Sequence, residues 1–376
     1  MFNYTTQSQF ILFAPGALDQ MGSVVARFGL KRLLLITSPS LEKGGQVERL
    51  AAALQPYLLA TFSRTEAHVQ DYQLAEVLAL AQEHQIDGVI GMGGGSPIGL
   101  VKALSLTWES QLRGQDEMRS ITPLDAPLIP VIAIPSTYAG SEMTPVYGIT
   151  HRLADGSSRK ITVRDPKITP RAVIYDPEIT LTLPPNQTAG TGMNALAHCF
   201  EAVYSVTKNP LSTAAALVGL RAIHRALPLC LQNGANLDAR TELLMGAHLA
   251  GTSLATVDMA LHHGLCHVLG GTAGVPHGVA NTIMLPHVLR FNQVAAASEL
   301  AQAAEAMGVS GVAAAIEQVE WLASQTGLPR RLRDVGVAVE MLPRLAEIAM
   351  SSATVHKNPR PVTSVTELEE LFAAAW

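Results

Sequence analysis

The chain has 376 residues, enough for two domains that each bury a core of their own. Hydrophobic residues make up 48% of it and charged residues 15%, which excludes an extended disordered chain. A formal net charge of −5 provides no polybasic face, so nucleic acid and an anionic membrane are not expected as partners. No uninterrupted apolar run is long enough to cross a bilayer, and the first residues lack the pattern of a secretory signal. Three widely spaced cysteines fit a reducing compartment, so we expect a cytoplasmic protein.

Four short apolar segments in the first half of the chain predict buried β-strands. A segment with helical periodicity, Tyr72 to His84, lies between the first two of them. This alternation is typical of a parallel sheet with helices on its faces. In chain order, the predicted strands are Arg32 to Thr37, Gly88 to Met92, Leu128 to Ile134 and Ala172 to Tyr175.

The pattern changes at Leu183, which two prolines follow. From Gln187 onward the chain is rich in Ala and Leu, with helical periodicity and almost no strand signal. We therefore predict an α/β domain over residues 1–183 and an all-helical domain over residues 184–376.

A Gly-rich turn follows the second predicted strand. Gly93, Gly94, Gly95 and Ser96 precede a helix predicted from Pro97 to Trp108. Glycines permit positive φ and remove the Cβ atoms that would keep a ligand from the backbone. The unpaired N–H groups of a helix start suit a pyrophosphate. The segment does not match GxGxxG, and a tight turn without a ligand gives the same pattern, so both interpretations stay open.

Small polar residues follow two other predicted strands, at the end where α/β sheets place ligands. Ser136, Thr137 and Ser141 can line a nucleotide cleft, although a Ser/Thr-rich loop that caps a helix fits them equally. Ser38, after the first strand, is a further candidate for cofactor contact. Residues 37–40 contain no acid to hold a ribose 2′-OH and no Arg to hold a 2′-phosphate. NADH and NADPH are therefore both candidates, with NADH slightly favoured.

The second half contains a group of histidines. Asn194 and His198 are four residues apart, and so are His263 and His267, so each pair lies on one face of a predicted helix. His277 follows shortly after. A single histidine on an apolar helix is more often a core residue, but four in small-residue surroundings indicate a metal site or a proton-transfer site. The histidine just before His263 faces another side of its helix and is excluded.

Together these segments resemble the iron-containing alcohol dehydrogenase superfamily, in order over nearly the whole chain. The resemblance implies a Rossmann-like dinucleotide-binding domain, a helical domain, NADH or NADPH as cofactor, and an active site for a small molecule in the cleft between the domains. We also expect a homodimer. In metal-dependent members an Asp and three His hold a divalent ion that polarises the substrate oxygen. By motif, those positions here are Asn194, His198, His263 and His277, with His267 beside them. The motifs are GGGSPIGLVKA, PSTYAGSEMTP, GMNALAHCFEA, the segment with His263, His267 and His277, and Asn358-Pro359-Arg360.

Two departures from the superfamily pattern resemble its maleylacetate reductase branch. Asn194 stands where metal-dependent members carry Asp, which removes the one anionic ligand and weakens the binding of a cation. Gly99 stands where they carry a second Asp. This branch reduces the double bond of the enol tautomer of 2-maleylacetate, giving 3-oxoadipate, and is generally described as metal-independent.

The leading hypothesis is therefore an NAD(P)H-dependent oxidoreductase similar to maleylacetate reductases. His263 or His267 would supply or orient a proton, and the other histidines, including His198, would hold substrate oxygens. The alternative is a metal-dependent alcohol dehydrogenase or aldehyde reductase, in which His198, His263 and His277 hold Fe²⁺ or Zn²⁺. The segments Trp108 to Asp125 and PHGVANTIMLPH favour that alternative. A non-catalytic nucleotide-binding or metal-sensing protein is a third class, but it would be expected to have lost these histidines.

Overall fold

The computed structural model describes residues 2, 4–6, 8–67, 69–112, 129–152 and 158–376. They form two compact units. The sheet unit includes Thr6–Thr137 and Ser141–Thr182. The helical unit includes Leu183–Trp376 together with Tyr138–Gly140, a short segment from the first half of the chain.

Two sheets form the framework of the sheet unit. The strands are β1 (Phe10–Phe13), β2 (Leu33–Thr37), β3 (Leu58–Phe62), β4 (Val69–Gln70), β5 (Gly88–Gly93), β6 (Val131–Pro135), β7 (Val146–Arg152), β8 (Ser158–Arg164) and β9 (Ala172–Tyr175). A wholly parallel sheet has the order β1-β9-β6-β5-β2-β3, and β4, β7 and β8 form a smaller mixed sheet. The four strands predicted from the sequence are β2, β5, β6 and β9, so the predicted parallel sheet is confirmed.

The predicted strands are those buried on both faces. Every residue of β2, β5, β6 and β9 is buried, as expected where helices cover both sides of a parallel sheet. In β2, Leu34 and Ile36 pack into one core, and Leu33 and Leu35 pack into the core on the opposite face. The two-sided burial explains why these strands are continuous apolar runs in the sequence.

Helices of the sheet unit alternate with its strands. They are α1 (Met21–Arg27), α2 (Pro39–Lys43), α3 (Gln46–Leu54), α4 (Asp71–Glu83) and α5 (Gly95–Leu112). Helix α4 confirms the helix predicted from Tyr72. Helix α5 begins at Gly95, so Pro97 lies inside the first turn rather than at the helix start. A proline is tolerated there because the first N–H groups of a helix have no intrahelical partner.

Helix α5 packs directly against β5 because Gly91 has no side chain. A Cβ at Gly91 would lie 2.8 Å from Cγ2 of Val101 and 3.2 Å from Cα of Ile98. A contact under 3.0 Å essentially never occurs for a real Cβ atom, and one of 3.2 Å is tighter than most, so a side chain here would require the neighbours to shift. Gly91 thus fixes the start of α5 beside the carboxyl end of β5.

The helical unit contains no strand among the residues described after Tyr175, as predicted. Its helices are α6 (Pro185–Tyr204), α7 (Pro210–Gln232), α8 (Leu237–Leu254), α9 (Leu261–Ala273), α10 (His277–Asn292), α11 (Ala297–Ala306), α12 (Val312–Gln325), α13 (Leu342–Met350) and α14 (Val365–Ala375). Helix α6 is buried over most of its length. Side chains of α9, α10, α13 and α14 share one apolar core, in which Leu265, Met284, Leu345 and Phe372 are buried.

Helix α7 is, by length and composition only, long and apolar enough to cross a membrane. Arg221 and Arg225 interrupt its apolar run, so it does not contradict the expectation that no uninterrupted run of that length is present. Half of its most apolar window is buried, and it packs against α6 and α8. Asn209 and Ser212 form a capping box at its start. Because a core helix of a globular protein gives the same composition, packing accounts for its apolar character.

Candidate functional site

The Gly-rich turn joins the carboxyl end of β5 to the start of α5. Gly93 ends the strand with φ of 144°, a conformation that residues with a side chain rarely adopt. A Cβ at Gly95 would meet no described atom within 4 Å, so the space beside the first turn of α5 is open. The first N–H groups of that helix lack intrahelical acceptors. An open space lined by such groups fits a pyrophosphate.

The other predicted cofactor residues lie at the same edge of the sheet. Strand β6 pairs with β5 at Gly93, and the N–H of Ser136 donates to the Gly93 carbonyl at 3.0 Å. Cγ2 of Thr137 would lie 3.2 Å from a Cβ at Gly94. Ser38 follows β2, the neighbour of β5 on its other side. The parallel sheet therefore gathers these residues around the Gly-rich turn.

Lys102 is a buried residue that the sequence reasoning missed. It lies in α5, is fully buried, and its Nζ donates to the carbonyls of Ser141, Thr144 and Val146 at 2.6, 2.7 and 3.1 Å. Burial lowers the pKa of Lys102 to about 7. Three carbonyl acceptors need three N–H groups, and only the ammonium form provides them. Lys102 thereby holds Ser141, a predicted cofactor residue, against the helix that starts at the Gly-rich turn. The signal was present, since a lysine interrupts the apolar pattern of GGGSPIGLVKA.

Helices α6, α9 and α10 bring the four predicted histidines together. The rings of His198 and His263 are stacked with centroids 4.5 Å apart, and those of His267 and His277 are stacked at 5.8 Å. His263 connects the two pairs, because its ring lies 6.3 Å from His267 and 6.2 Å from His277. We call these four residues the histidine cluster.

The histidine cluster has a buried half and an exposed half. His198 and His263 are 5% and 3% exposed, whereas His267 and His277 are exposed. Burial lowers the pKa of His198 and of His263 well below the usual value, and the neighbouring imidazoles lower it further. The buried pair is therefore neutral at neutral pH, and the exposed pair can exchange protons with water.

Glu201 lies beneath the cluster and was not predicted. Its Oε2 is 2.7 Å from Nδ1 of His263, and its carboxylate also accepts the backbone N–H groups of Ala260 and His262. Burial raises the pKa of Glu201, and these N–H groups act in the opposite direction. The available signal was its position three residues after His198, on the same face of α6.

His262 does face away from the cluster, yet it belongs to the same polar network. Its ring meets that of His263 edge-on, with centroids 5.1 Å apart and an interplanar angle of 82°. Nε2 of His262 is 2.8 Å from Oδ1 of Asn281, and Nδ2 of Asn281 donates to the His277 carbonyl. The sequence did not predict this contact between His262 and His263.

Asn194 is buried, and its Nδ2 donates to the Ala139 carbonyl at 3.5 Å. Among the described residues, Oδ1 of Asn194, Nδ1 of His198 and Nε2 of His263 have no hydrogen-bond partner. Unpaired buried polar atoms are rare in folded proteins and mark a place where polar groups of a ligand can bind.

The same residues do not fit a metal centre in this arrangement. Within the described part of the chain, no group of three or more His, Cys, Asp or Glu side chains could hold a metal ion. The lone pairs of an imidazole lie in the plane of its ring, and the rings of His198 and His263 lie within 10° of parallel. Two parallel stacked rings do not direct lone pairs to one ion, and Asn194 brings no charge.

Family models cover both units of the chain. Residues 8–177 match the model for iron-containing alcohol dehydrogenase, and residues 188–376 match the model for the C-terminal part of the Fe-containing alcohol dehydrogenase family. The chain belongs to the iron-containing alcohol dehydrogenase family. The resemblance drawn from its motifs is thereby confirmed, and the chain is an NAD(P)-dependent oxidoreductase.

Several relatives resemble the chain over almost its whole length. A maleylacetate reductase of Burkholderia cepacia is 37% identical over 352 residues, which cover 94% of this chain and 91% of that protein. The crystal structure of maleylacetate reductase from Agrobacterium tumefaciens is 34% identical with a TM-score of 0.87, over 100% of this chain and 98% of that one. A crystal structure of 1,3-propanediol oxidoreductase is 30% identical with a TM-score of 0.90, over 100% of both chains.

Two glycines set the separation of the helices that carry part of the histidine cluster. A Cβ at Gly190 in α6 would lie 3.1 Å from Cα of Gly278 in α10, and a Cβ at Gly278 would lie 2.6 Å from Cα of Gly190. The backbones of α6 and α10 therefore touch at this point. This contact places His277, next to Gly278, beside the helix that carries His198.

We expect Gly278→Ala to lower the free energy of unfolding by about 1–3 kcal/mol, because its methyl group must push two backbones apart. The shift of α10 should also lower the rate of NAD(P)H oxidation. Urea denaturation and a steady-state assay measure the two effects. Gly271→Ala in α9 is the matched control, since a Cβ there meets no described atom within 4 Å. Equal stability of the two variants would contradict the close helix contact.

Proposed function

We propose that this protein is an NAD(P)H-dependent maleylacetate reductase, which reduces the double bond of 2-maleylacetate to give 3-oxoadipate. Relatives with that name are 33–37% identical to the chain over more than nine tenths of its length. The observation that carries the proposal is a complete histidine cluster accompanied by Asn194, a neutral residue at the position where the superfamily resemblance implies an acidic one. The site keeps imidazoles that can bind oxygen atoms and transfer protons, but position 194 lacks the negative charge that offsets a divalent metal ion.

The Gly-rich turn and the adjacent strand ends fit the nicotinamide cofactor. When bound, the reduced nicotinamide supplies the hydride for the reaction. We assign the pyrophosphate to the open space beside Gly95 and the first N–H groups of α5. Residues 37–40 contain neither an acid for a ribose 2′-OH nor an Arg for a 2′-phosphate, so NADH is only slightly favoured over NADPH. The residues assigned to the cofactor are Ser38, Gly93, Gly94, Gly95, Ser96, Ser136, Thr137 and Ser141.

We assign different catalytic roles to the buried and the exposed histidines. His198 and His263 are buried and neutral, so they can form hydrogen bonds to substrate oxygens without adding charge. Each reduction also consumes a proton, which has to be replaced from water. His267 is exposed, so we assign the proton donor to His267 rather than to His263.

We further propose a cytoplasmic homodimer that acts on this small molecule. The three cysteines are buried free thiols, which fits a reducing compartment. Leu211 and Val218 of α7 lie seven residues apart and are each 53% exposed, and Met245 of α8 is 37% exposed. Exposed apolar side chains on one helix face support contact with a second copy.

A metal-dependent alcohol dehydrogenase or aldehyde reductase is the second candidate. The match to 1,3-propanediol oxidoreductase over both whole chains favours it, as do the unpaired atoms of Asn194, His198 and His263. In that case Fe²⁺ or Zn²⁺ would need different ring orientations from those in this structure, with His277 as a further ligand.

Purified protein should oxidise NADH with maleylacetate at a kcat/KM at least about 100-fold higher than with acetaldehyde or propanal. The reason is that a site which bonds several substrate oxygens leaves its polar groups unpaired when a simple aldehyde binds. Steady-state rates with NADH and with NADPH measure both the substrate and the cofactor preference. A higher kcat/KM for the aldehydes would favour the second candidate.

Activity should survive exhaustive treatment with EDTA, because Asn194 supplies no charge to offset a divalent cation. Rates before and after chelation, with metal analysis of the same samples, measure this. Asn194→Asp restores the charge at nearly the same shape and should raise the affinity for Fe²⁺ or Zn²⁺. Loss of activity in EDTA with recovery on adding Fe²⁺ or Zn²⁺ would show that the unmodified enzyme needs the metal.

Gly95→Ala should raise the Kd for NADH about tenfold or more, because its methyl group enters the space assigned to the pyrophosphate. Gly95 is a better choice than Gly94, where the new side chain would also press on Thr137. Fluorescence titration gives the Kd, and urea denaturation should show unchanged or slightly raised stability. Gly271→Ala is again the control. An unchanged Kd in Gly95→Ala would place the cofactor elsewhere.

A further inference from the structure

Glu201 lies in α6 and is fully buried. Its carboxylate forms hydrogen bonds to the first residues of α9. The backbone N–H groups of Ala260 and His262 donate to its carboxylate at 3.0 and 2.8 Å, and Nδ1 of His263 lies 2.7 Å from it. Helix α9 has no side-chain cap of its own among the described residues, since its N-cap residue is Ala260. A carboxylate at this position satisfies N–H groups that would otherwise be unpaired, and it interacts favourably with the helix dipole.

The hydrogen bonds around Glu201 determine which ring nitrogen of His263 carries the proton. Oε1 accepts from His262, and Oε2 accepts from Ala260 and faces Nδ1 of His263. Each oxygen of the Glu201 carboxylate already accepts a backbone N–H group, so the carboxylate acts as an acceptor in this arrangement. Nδ1 of His263 must therefore be the donor. In a neutral imidazole, Nε2 then carries a lone pair and no hydrogen.

Nε2 of His263 is the atom that this arrangement presents to a ligand. It is buried and has no partner among the described residues. On the side away from Glu201, the ring of His262 meets the ring of His263 edge-on and limits its rotation. The contact of His262 with Asn281 holds the His262 ring in that position. A buried lone pair without a partner is costly, and a hydroxyl group of a ligand would satisfy it.

We propose that Glu201 is a positioning residue, which fixes His263 in the Nδ1–H tautomer so that Nε2 accepts a hydrogen bond from a substrate hydroxyl. This rests on the proposed function, because the enol tautomer of 2-maleylacetate carries such a hydroxyl and a simple aldehyde does not. His263 then selects and orients the enol form. The proton that completes the reduction comes from another group, in agreement with its assignment to His267.

The tautomer can be observed directly in the full-length protein labelled with ¹⁵N-histidine. Long-range ¹H–¹⁵N correlation spectra distinguish a protonated ring nitrogen from an unprotonated one, and the signals that disappear in His263→Asn belong to His263. We expect a protonated Nδ1 and an unprotonated Nε2 in the unmodified protein. A protonated Nε2 with an unprotonated Nδ1 would overturn the proposal, whatever the activity of the enzyme.

Substitution of Glu201 tests whether this residue causes the preference. Glu201→Met removes the acceptor at similar length, so His263 should lose its fixed tautomer. Glu201→Gln keeps one acceptor oxygen, so it should weaken the tautomer preference less than Glu201→Met does. It serves as the test if Glu201→Met does not fold. Glu109→Gln is the control, because Glu109 is a buried carboxylate of the sheet unit that pairs with Lys167 at 2.9 Å. It should leave the spectrum of His263 unchanged, and an unchanged tautomer in both Glu201 variants would contradict the proposal.

A double-substitution experiment separates positioning from simple capping of α9. Replacing Glu201 by Gln should lower kcat/KM for maleylacetate about tenfold in the unmodified protein and have little effect in His263→Ala. Equal losses in the two backgrounds would show that Glu201 acts on the helix alone and would overturn the proposal. If the unmodified protein does not reduce maleylacetate, the proposed function fails, while the tautomer measurements still decide the role of Glu201.

Discussion

Burying a carboxylate without a positively charged partner is expensive, and the helical unit does so once in its core, at Glu201. The cost is offset because three N–H groups converge on it from the first residues of α9. The arrangement joins α6 to α9 and orients His263 by the same contacts. His198 stacks on His263, and His267 follows one turn later on α9. The positions of three catalytic candidates therefore depend on one buried anion, and the contact of Gly190 with Gly278 places the fourth.

In the sheet unit, backbone N–H groups stay accessible where β5 ends and α5 begins. The lack of a side chain at Gly91 lets α5 lie against β5, and Gly93 provides the unusual backbone angle that starts the turn. Lys102 holds the segment from Ser141 to Val146 against the same helix from inside the core. Lys102 bonds to the Ser141 carbonyl, and the Ser141 hydroxyl has no hydrogen-bond partner among the described residues. That hydroxyl is available for a cofactor.

The sequence predicted those strands and site residues that follow a simple periodic pattern of residue types. Strands β2, β5, β6 and β9 are buried on both faces, so their apolar runs stand out. Strand β3 alternates between half-buried and exposed residues before its buried last residue, so it gives no such run. Strands β7 and β8 pair antiparallel and have mixed polarity, so they give none either. The histidines of the cluster could be found by helical spacing. Glu201 and Lys102 also stand out by position, but their roles could not be predicted, because those roles depend on backbone groups that come from distant parts of the chain.

Electrostatics connects the substitution at Asn194 to the proposed substrate. A substrate with two carboxylates is repelled by a nearby anion, and this repulsion is strong where water is excluded. An Asp at position 194 is tolerable in relatives in which a cation neutralises it, but without the cation it would oppose binding. Asn194 removes the negative charge and also donates to the Ala139 carbonyl, which an Asp carboxylate would repel. Glu201 differs from position 194 because backbone N–H groups and the ring of His263 enclose its carboxylate. Under the proposed function, weak metal binding and acceptance of a dicarboxylate would both follow from the neutral side chain at position 194.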